Sequence, residues 1–305
     1  MVKDASHSEV TLKAFEDSPA IEFMKVVYQH IEFPKKVSEL KLYRRVRDEL
    51  KIKKERLLAE TISSHKAGDI DAYFALGCAY QYGGCVERDL EKARQLFQQA
   101  TKAGHRDAML KLALLTRRLN NNEDTEETVH WLKESATLGN ADAMQSLAYR
   151  YRDGGLLEKD LLQAEFWFKA FYGNGNPVGA YYLGKFYEVH MENDVKAHHW
   201  YRIYAEQSPK NLRDLAWFLN REDTEFFDPA ESLRLKIINV DHCIEMSRPV
   251  ICGEIADHYL NGRGVEASKT EALKWLNKAL ALFKPDSKLA AETKSEIQEL
   301  EDSLI

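Results

Sequence analysis

AYFALGCAYQYGGCVERDLEKARQLFQQATKAG, residues 72–104, contains one complete structural unit. Its first part spaces Ala72, Leu76 and Tyr80 at helical intervals, and its second part does the same with Ala93, Leu96 and Ala100. Apolar residues recurring every three or four positions mark amphipathic helices, and nothing here alternates with the period of two that a strand needs. Between the two lie Gly83 and Gly84, which allow the positive φ that ends a helix. Asp89 follows, with a side chain suited to cap the next one. The stretch therefore reads as helix, tight loop, helix.

The same unit returns along the chain. Leu76, Leu112, Leu147, Leu183, Leu215 and Ile255 each precede a small residue, at steps of 36, 35, 36, 32 and 40 residues. About twenty residues after each comes a second segment, whose bulky anchor is Leu96, Trp131, Trp167, Trp200, Leu233 or Trp275. The loops between them are YGGCVERD, NNNEDTEE, DGGLLEKD, HMENDV, NREDTEFFD and NGRGVEASK, so the second, fourth and fifth lack glycine. A period of this length marks stacked helix pairs, in which each pair buries its apolar face against its neighbours. The expected fold is all-α.

The motif A-x-x-x-L-G-x-x-Y-x-x-G-x-G-V followed by K-A-x-x-W-x-x-K-A resembles Sel1-like repeats, relatives of the tetratricopeptide repeat. The units at 72–104 and 251–282 fit it best, the latter through Gly262, Gly264, Val265, Lys274, Trp275 and Lys278. The resemblance covers about residues 69–282. It implies a right-handed α-α superhelical solenoid of about six helix pairs. It also implies a protein-binding role, since Sel1-like proteins typically act as adaptors or assembly scaffolds and some bacterial ones neutralise toxins.

A length of 305 residues would suggest two domains at roughly 100–200 residues each, but a repeat array replaces that estimate. The expected organisation is an N-terminal helical cap at 1–68, a repeat solenoid at 69–282 and a C-terminal capping helix at 283–305. The formal charge of −6 is too mild for wholesale binding to nucleic acid or an acidic membrane. It conceals a basic stretch from 35 to 56, with ten Lys and Arg against four Asp and Glu, including Arg44, Arg45, Arg47, Lys51, Lys53 and Lys54. A solvated face on a capping helix explains this patch. Its rival is contact with phosphates, which would make the chain a nucleic-acid-associated factor. No secretory h-region or membrane-spanning apolar run is present, so the expected location is cytoplasmic.

No G-x-S-x-G, H-E-x-x-H or phosphate-cradling glycine loop occurs, and no cofactor motif. The adjacent His198 and His199 cannot share a helix face as metal ligands do. Cys78 and Cys85, and Cys243 and Cys252, read as buried thiols. Some secreted members of the resembled family pair such cysteines, and a hydrolase of that cysteine-rich type is the remote alternative. Trp131, Trp167, Trp200 and Trp275, one per unit, read as packing anchors and not as a ligand cage.

Positions two before and two after each first-helix leucine share the face opposite it, the face that lines the concave side of a helix-pair solenoid. This reasoning gives a partner-binding groove of Phe74, Leu110, Leu114, Tyr149, Tyr181, Lys185, Arg213 and Trp217, beside Cys78, Gln145, Gly253 and Asp257. Tyr82, Arg117, Arg152 and Glu188 follow one turn later. Aromatic residues and arginine are the types most enriched at binding hot spots. The expected function is a non-enzymatic scaffold holding a protein partner, as an adaptor or a toxin-neutralising immunity protein.

Overall fold

The computed structural model describes residues 58, 60–64, 66, 68–83, 86–283 and 287–304. The basic segment at 35–56, the rest of the expected N-terminal cap before residue 58, and Cys85 lie outside the described residues. The chain divides into two compact units, residues 1–160 and 161–305.

In the first unit α1 (Ile70–Tyr82), α2 (Leu90–Lys102), α3 (Arg106–Leu119), α4 (Glu126–Thr137) and α5 (Ala141–Asp153) follow one another, each packed on the next. Residues 60–64, ahead of α1, are also helical, with Thr61 buried. The second unit holds α6 (Leu161–Gly173), α7 (Val178–Val189), α8 (Asp194–Glu206), α9 (Leu212–Leu219) and α10 (Pro229–His242). It continues with α11 (Arg248–Asn261), α12 (Lys269–Leu282) and α13 (Lys288–Asp302). Two 3₁₀ turns, Pro209–Asn211 and Glu245–Ser247, precede α9 and α11. Every described element is helical, and the expected pairs that lie within one unit are α1–α2, α3–α4, α7–α8, α9–α10 and α11–α12; the third expected pair divides at the unit boundary, with α5 before it and α6 after it.

The first-helix anchors behave as the repeat requires: Leu76, Leu112, Leu147, Leu183, Leu215 and Ile255 are all buried. The second-helix anchors do not. Leu233 is buried, but Leu96 and the four tryptophans are only half-buried, and the fully enclosed side chains are the next residues, Phe97, Leu132, Phe168, Tyr201 and Leu276. One residue turns a helix by about 100°, so the tryptophan packs along the edge of the stack while its neighbour enters the core. The glycine after Leu76 and Leu183 makes room for that core ring. A Cβ on Gly77 would stand 2.6 Å from Phe97 Cε1, and one on Gly184 would stand 2.7 Å from Tyr201 Cε1. In the first unit Phe97 thus joins Cys78, Ala93, Ala100, Ala108, Leu112 and Leu115 in one cluster.

The turn within a pair is fixed twice over. The capping side chain of the second helix accepts a backbone N–H, as Asp89 does from Lys92, Asp228 from Glu231 and Ser268 from Glu271. The backbone N–H of the same residue donates to a carbonyl in the last turn of the first helix: Asp89 to Tyr80, Asp160 to Tyr151, Asp228 to Leu219 and Ser268 to Tyr259, at 2.8–2.9 Å. In two of the three loops that lack glycine other residues take the left-handed conformation, Asn121 and Asn122 in the second pair and Glu192 in the fourth. At the C-terminal end α13 lays Ile297 against Ala256, Ala272 and Leu276, so an amphipathic helix closes the last pair.

Candidate functional site

The expected groove residues separate into packed and presented groups. In the first unit Leu110 is buried and does not line a surface, as is Cys78. Phe74 is half-buried, its ring 6.0 Å from Phe97 and stacked 4.5 Å from His105. Here the second helix of its own pair and His105, which caps the next helix, close over the position, because a first helix inside a stack has neighbours on both sides. Leu114 and Tyr82 are exposed, and Lys111 reaches Tyr82 Oη at 3.2 Å. Arg117 lies 3.4 Å from Asp124, which Arg150 grips with two hydrogen bonds of 2.8 and 2.9 Å. The Arg152 guanidinium stands over the Tyr149 ring at 4.6 Å while pairing with Asp153.

In the second unit Lys185 of α7 meets Trp217 of α9, and Arg213 lies one turn before Trp217 on the same side of α9. Trp217 is 48% exposed, with Lys185 Nζ 4.4 Å from its ring centroid and the Arg221 guanidinium 6.0 Å from it. Its place is held from below by Glu188. That nearly enclosed carboxylate takes Lys185 at 3.1 Å, Arg221 at 2.8 Å and the Tyr201 hydroxyl at 2.6 Å. Arg221 also grips Asp223 with bonds of 3.0 and 2.7 Å. Tyr181 packs on Tyr204 at 5.6 Å, and burial raises the pKa of both hydroxyls. Beside them burial pushes the Asp214 carboxyl up, against the pull of Lys185 and Arg213.

The face continues inward. Arg213 meets Glu254 at 3.3 Å, and Glu254 meets the buried Lys236 at 3.4 Å. Lys236 Nζ is 3.2 Å from His258 Nε2, while His258 Nδ1 is 2.8 Å from the Arg263 carbonyl oxygen. A carbonyl only accepts, so Nδ1 carries the proton and Nε2 accepts from the lysine. Burial lowers the pKa of both Lys236 and His258. The repeat pattern did not mark Arg221, Asp214, Glu254 or His258, although Asp214 and Glu254 each directly precede a first-helix anchor. Lys236 did leave a signal, a charged residue in register with Leu233 and Val240 on the buried stripe of α10.

Trp217 and its cations are preorganised by hydrogen bonds, and the arginines are already committed to carboxylates. Among the described residues no group of three His, Cys, Asp or Glu could hold a metal ion, and no helix is long and apolar enough to cross a membrane. His198 stacks on Phe226 at 4.3 Å and burial holds its pKa down. Cys252 is buried and Cys243 half-buried, both unbridged.

The Sel1 repeat model matches residues 70–105, 107–140, 141–176, 177–209 and 252–282, more than half of the chain. The fifth helix pair, α9–α10, falls between two matched stretches. Among solved structures, c5321, a protective antigen of uropathogenic Escherichia coli with an SLR fold, is 21% identical. It covers 80% of this chain with a TM-score of 0.59. The chain spans about half of that protein's length, 52%. A Sel1 repeat protein from Oxalobacter formigenes is 19% identical over 74% of this chain and 100% of its own, with a TM-score of 0.51. The immunity protein Pa5087 of Pseudomonas aeruginosa is 19% identical over 61% of this chain and 73% of its own, with a TM-score of 0.40. No curated protein sequence matches the chain.

Proposed function

The chain belongs to the Sel1 repeat family of helix-pair interaction scaffolds, and from that premise we propose that it is a non-enzymatic cytoplasmic scaffold gripping one protein partner. The grip is the face of α7 and α9, with Trp217 as its anchor and Tyr181, Lys185 and Arg213 around it. The role is that of an adaptor or of an immunity protein that occludes a toxin.

The observation carrying this reading is the half-exposed Trp217 held between Lys185 and Arg221. A large aromatic side chain left in water has an apolar surface still to bury, and tryptophan and arginine dominate interface hot spots. Holding the ring in place beforehand lowers the ordering cost of binding. The test is capture of partners from the native source by the wild type and by a Tyr181→Ala, Trp217→Ala double variant whose fold is checked by circular dichroism. Loss of a specific partner supports the assignment, and unchanged recovery overturns it.

A further inference from the structure

The fifth helix pair carries a second surface, on the other side of α9. Its first helix has eight residues, against 12 to 14 in α1, α3, α5, α7 and α11. The short helix leaves a cleft of about 640 Å³ between α8 and α10. Leu212, Leu215 and Leu219 of α9 form its floor, with Ala205 of α8 and Leu235 of α10. At about 100° per residue those leucines lie about 150° around α9 from Arg213 and Trp217, so the cleft is separate from the Trp217 face. Its α9 and α10 walls come from the stretch between the matched repeats, and its α8 wall from the end of the match at 177–209.

The lining identifies the occupant by its chemistry. The floor is aliphatic, and one wall is the flat pair of His198 stacked on Phe226, with Phe227 exposed at the rim. Charged groups stand on the rim. Of these, Arg202 and Arg234 are outnumbered by Glu206, Glu225, Asp228 and Glu231. Arg234 is closed onto Glu231 by two bonds of 2.6 Å, and Asp228 is engaged in capping α10. Among the described residues Glu206 and Glu225 form no ion pair, so the rim presents surplus negative charge. A small-molecule site needs a few convergent polar groups to orient its ligand, whereas an apolar floor inside a charged rim is the anatomy of a protein interface.

We propose that this cleft docks a basic amphipathic helix of a protein partner, with leucine-like side chains on the α9 floor and lysine or arginine against Glu206 and Glu225. Apolar anchors seated in a groove, with charges setting orientation and partner, are the physics of helix-in-groove recognition.

The test uses the full chain and two fluorescein-labelled peptides of about 14 residues, one of leucine and lysine patterned as an amphipathic helix and one of leucine and glutamate. Fluorescence anisotropy is expected to show micromolar binding of the lysine peptide only. Glu206→Lys with Glu225→Lys, and separately the exposed Phe227→Ala, are expected to weaken it at least about tenfold. Trp217→Ala, on the opposite side of α9, is expected to leave it unchanged. Absence of binding, equal binding of the glutamate peptide, or binding indifferent to both cleft variants overturns the proposal. So does a concentration-dependent dimer that the lysine peptide disperses, which would make a second copy the occupant.

Discussion

Gly77 and Phe97 share a space that holds only one of their side chains: a Cβ on the glycine would stand 2.6 Å from the ring of a phenylalanine with no exposed surface. Gly77→Ala improves helix propensity by up to about 1 kcal/mol but forces a fully enclosed ring to move. The net expectation is a loss of about 1–2 kcal/mol, read as a lower midpoint in thermal melts. Gly253, in α11, has open space where its Cβ would be. Gly253→Ala is therefore expected to stabilise by about 0.5–1 kcal/mol. Equal effects of the two substitutions would show that helix propensity, and not the ring contact, governs the first.

The left-handed positions give a second contrast. Glu192 holds φ +47° in the loop between α7 and α8, where a side chain costs about 1–2 kcal/mol. Part of that gain offsets the unfolded-state freedom of glycine, so Glu192→Gly is expected to raise the melting midpoint by an amount equivalent to about 0.5–1 kcal/mol. Gly83, at φ 77° and ψ −160°, occupies a region essentially reserved for glycine. Gly83→Ala is expected to lose about 1–3 kcal/mol in urea titration. No gain from Glu192→Gly would mean that its side chain makes a compensating contact.

These positions show what could be read from residues alone. Leu76 with Gly77, Tyr80 with Asp89, and the 36-residue step name the helix pair: glycine lies beneath a ring in the first and fourth pairs, and Asp89, Asn193, Asp228 and Ser268 each donate a capping N–H to a first-helix carbonyl. The presented face was half legible. Lys185 and Trp217 meet where helical arithmetic places them, whereas Phe74 and Leu110 pass the same arithmetic and are covered by neighbouring helices. A periodic pattern gives the direction of a side chain within its own helix and not what lies in front of it. Arg221, from a loop, and Glu254 and His258, from another pair, enter the second unit's network only through tertiary contact.

The buried contact between Lys236 and His258 makes the second unit acid-sensitive. Burial is the main reason the His258 pKa is lowered in the folded chain. The unfolded chain therefore takes up the proton first, and stability present above about pH 6.5 is lost as the pH falls below it. A proton on Nε2 would face the Lys236 ammonium at 3.2 Å, so it also breaks that hydrogen bond. Melting midpoints measured from pH 8 to pH 5 are expected to drop below about 6.5. His258→Asn, which keeps an N–H donor for the Arg263 carbonyl, is expected to flatten that drop. His198, whose pKa burial also lowers, accounts for the slope that remains. An unchanged slope in His258→Asn would assign the sensitivity to other groups.

Arg221 would link stability to the proposed recognition, because it neutralises Glu188 beneath the Trp217 ring. Glu188 has a side chain only 5% exposed and keeps Lys185 and Tyr201 if the arginine is removed. Arg221→Met retains most of the aliphatic stem but leaves one carboxylate oxygen without its 2.8 Å partner, an expected loss of about 1–3 kcal/mol. Glu188→Gln with Arg221→Met removes the stranded charge, so the double variant is expected to lose less than the sum of the single losses. The same series tests the grip on the partner. With Arg221 absent, Trp217 loses one of the two cations over its ring among the described residues, and partner capture is expected to weaken in Arg221→Met even at temperatures where the variant is folded. Additive losses of stability, together with unweakened capture, would separate Glu188 and Arg221 from the Trp217 face.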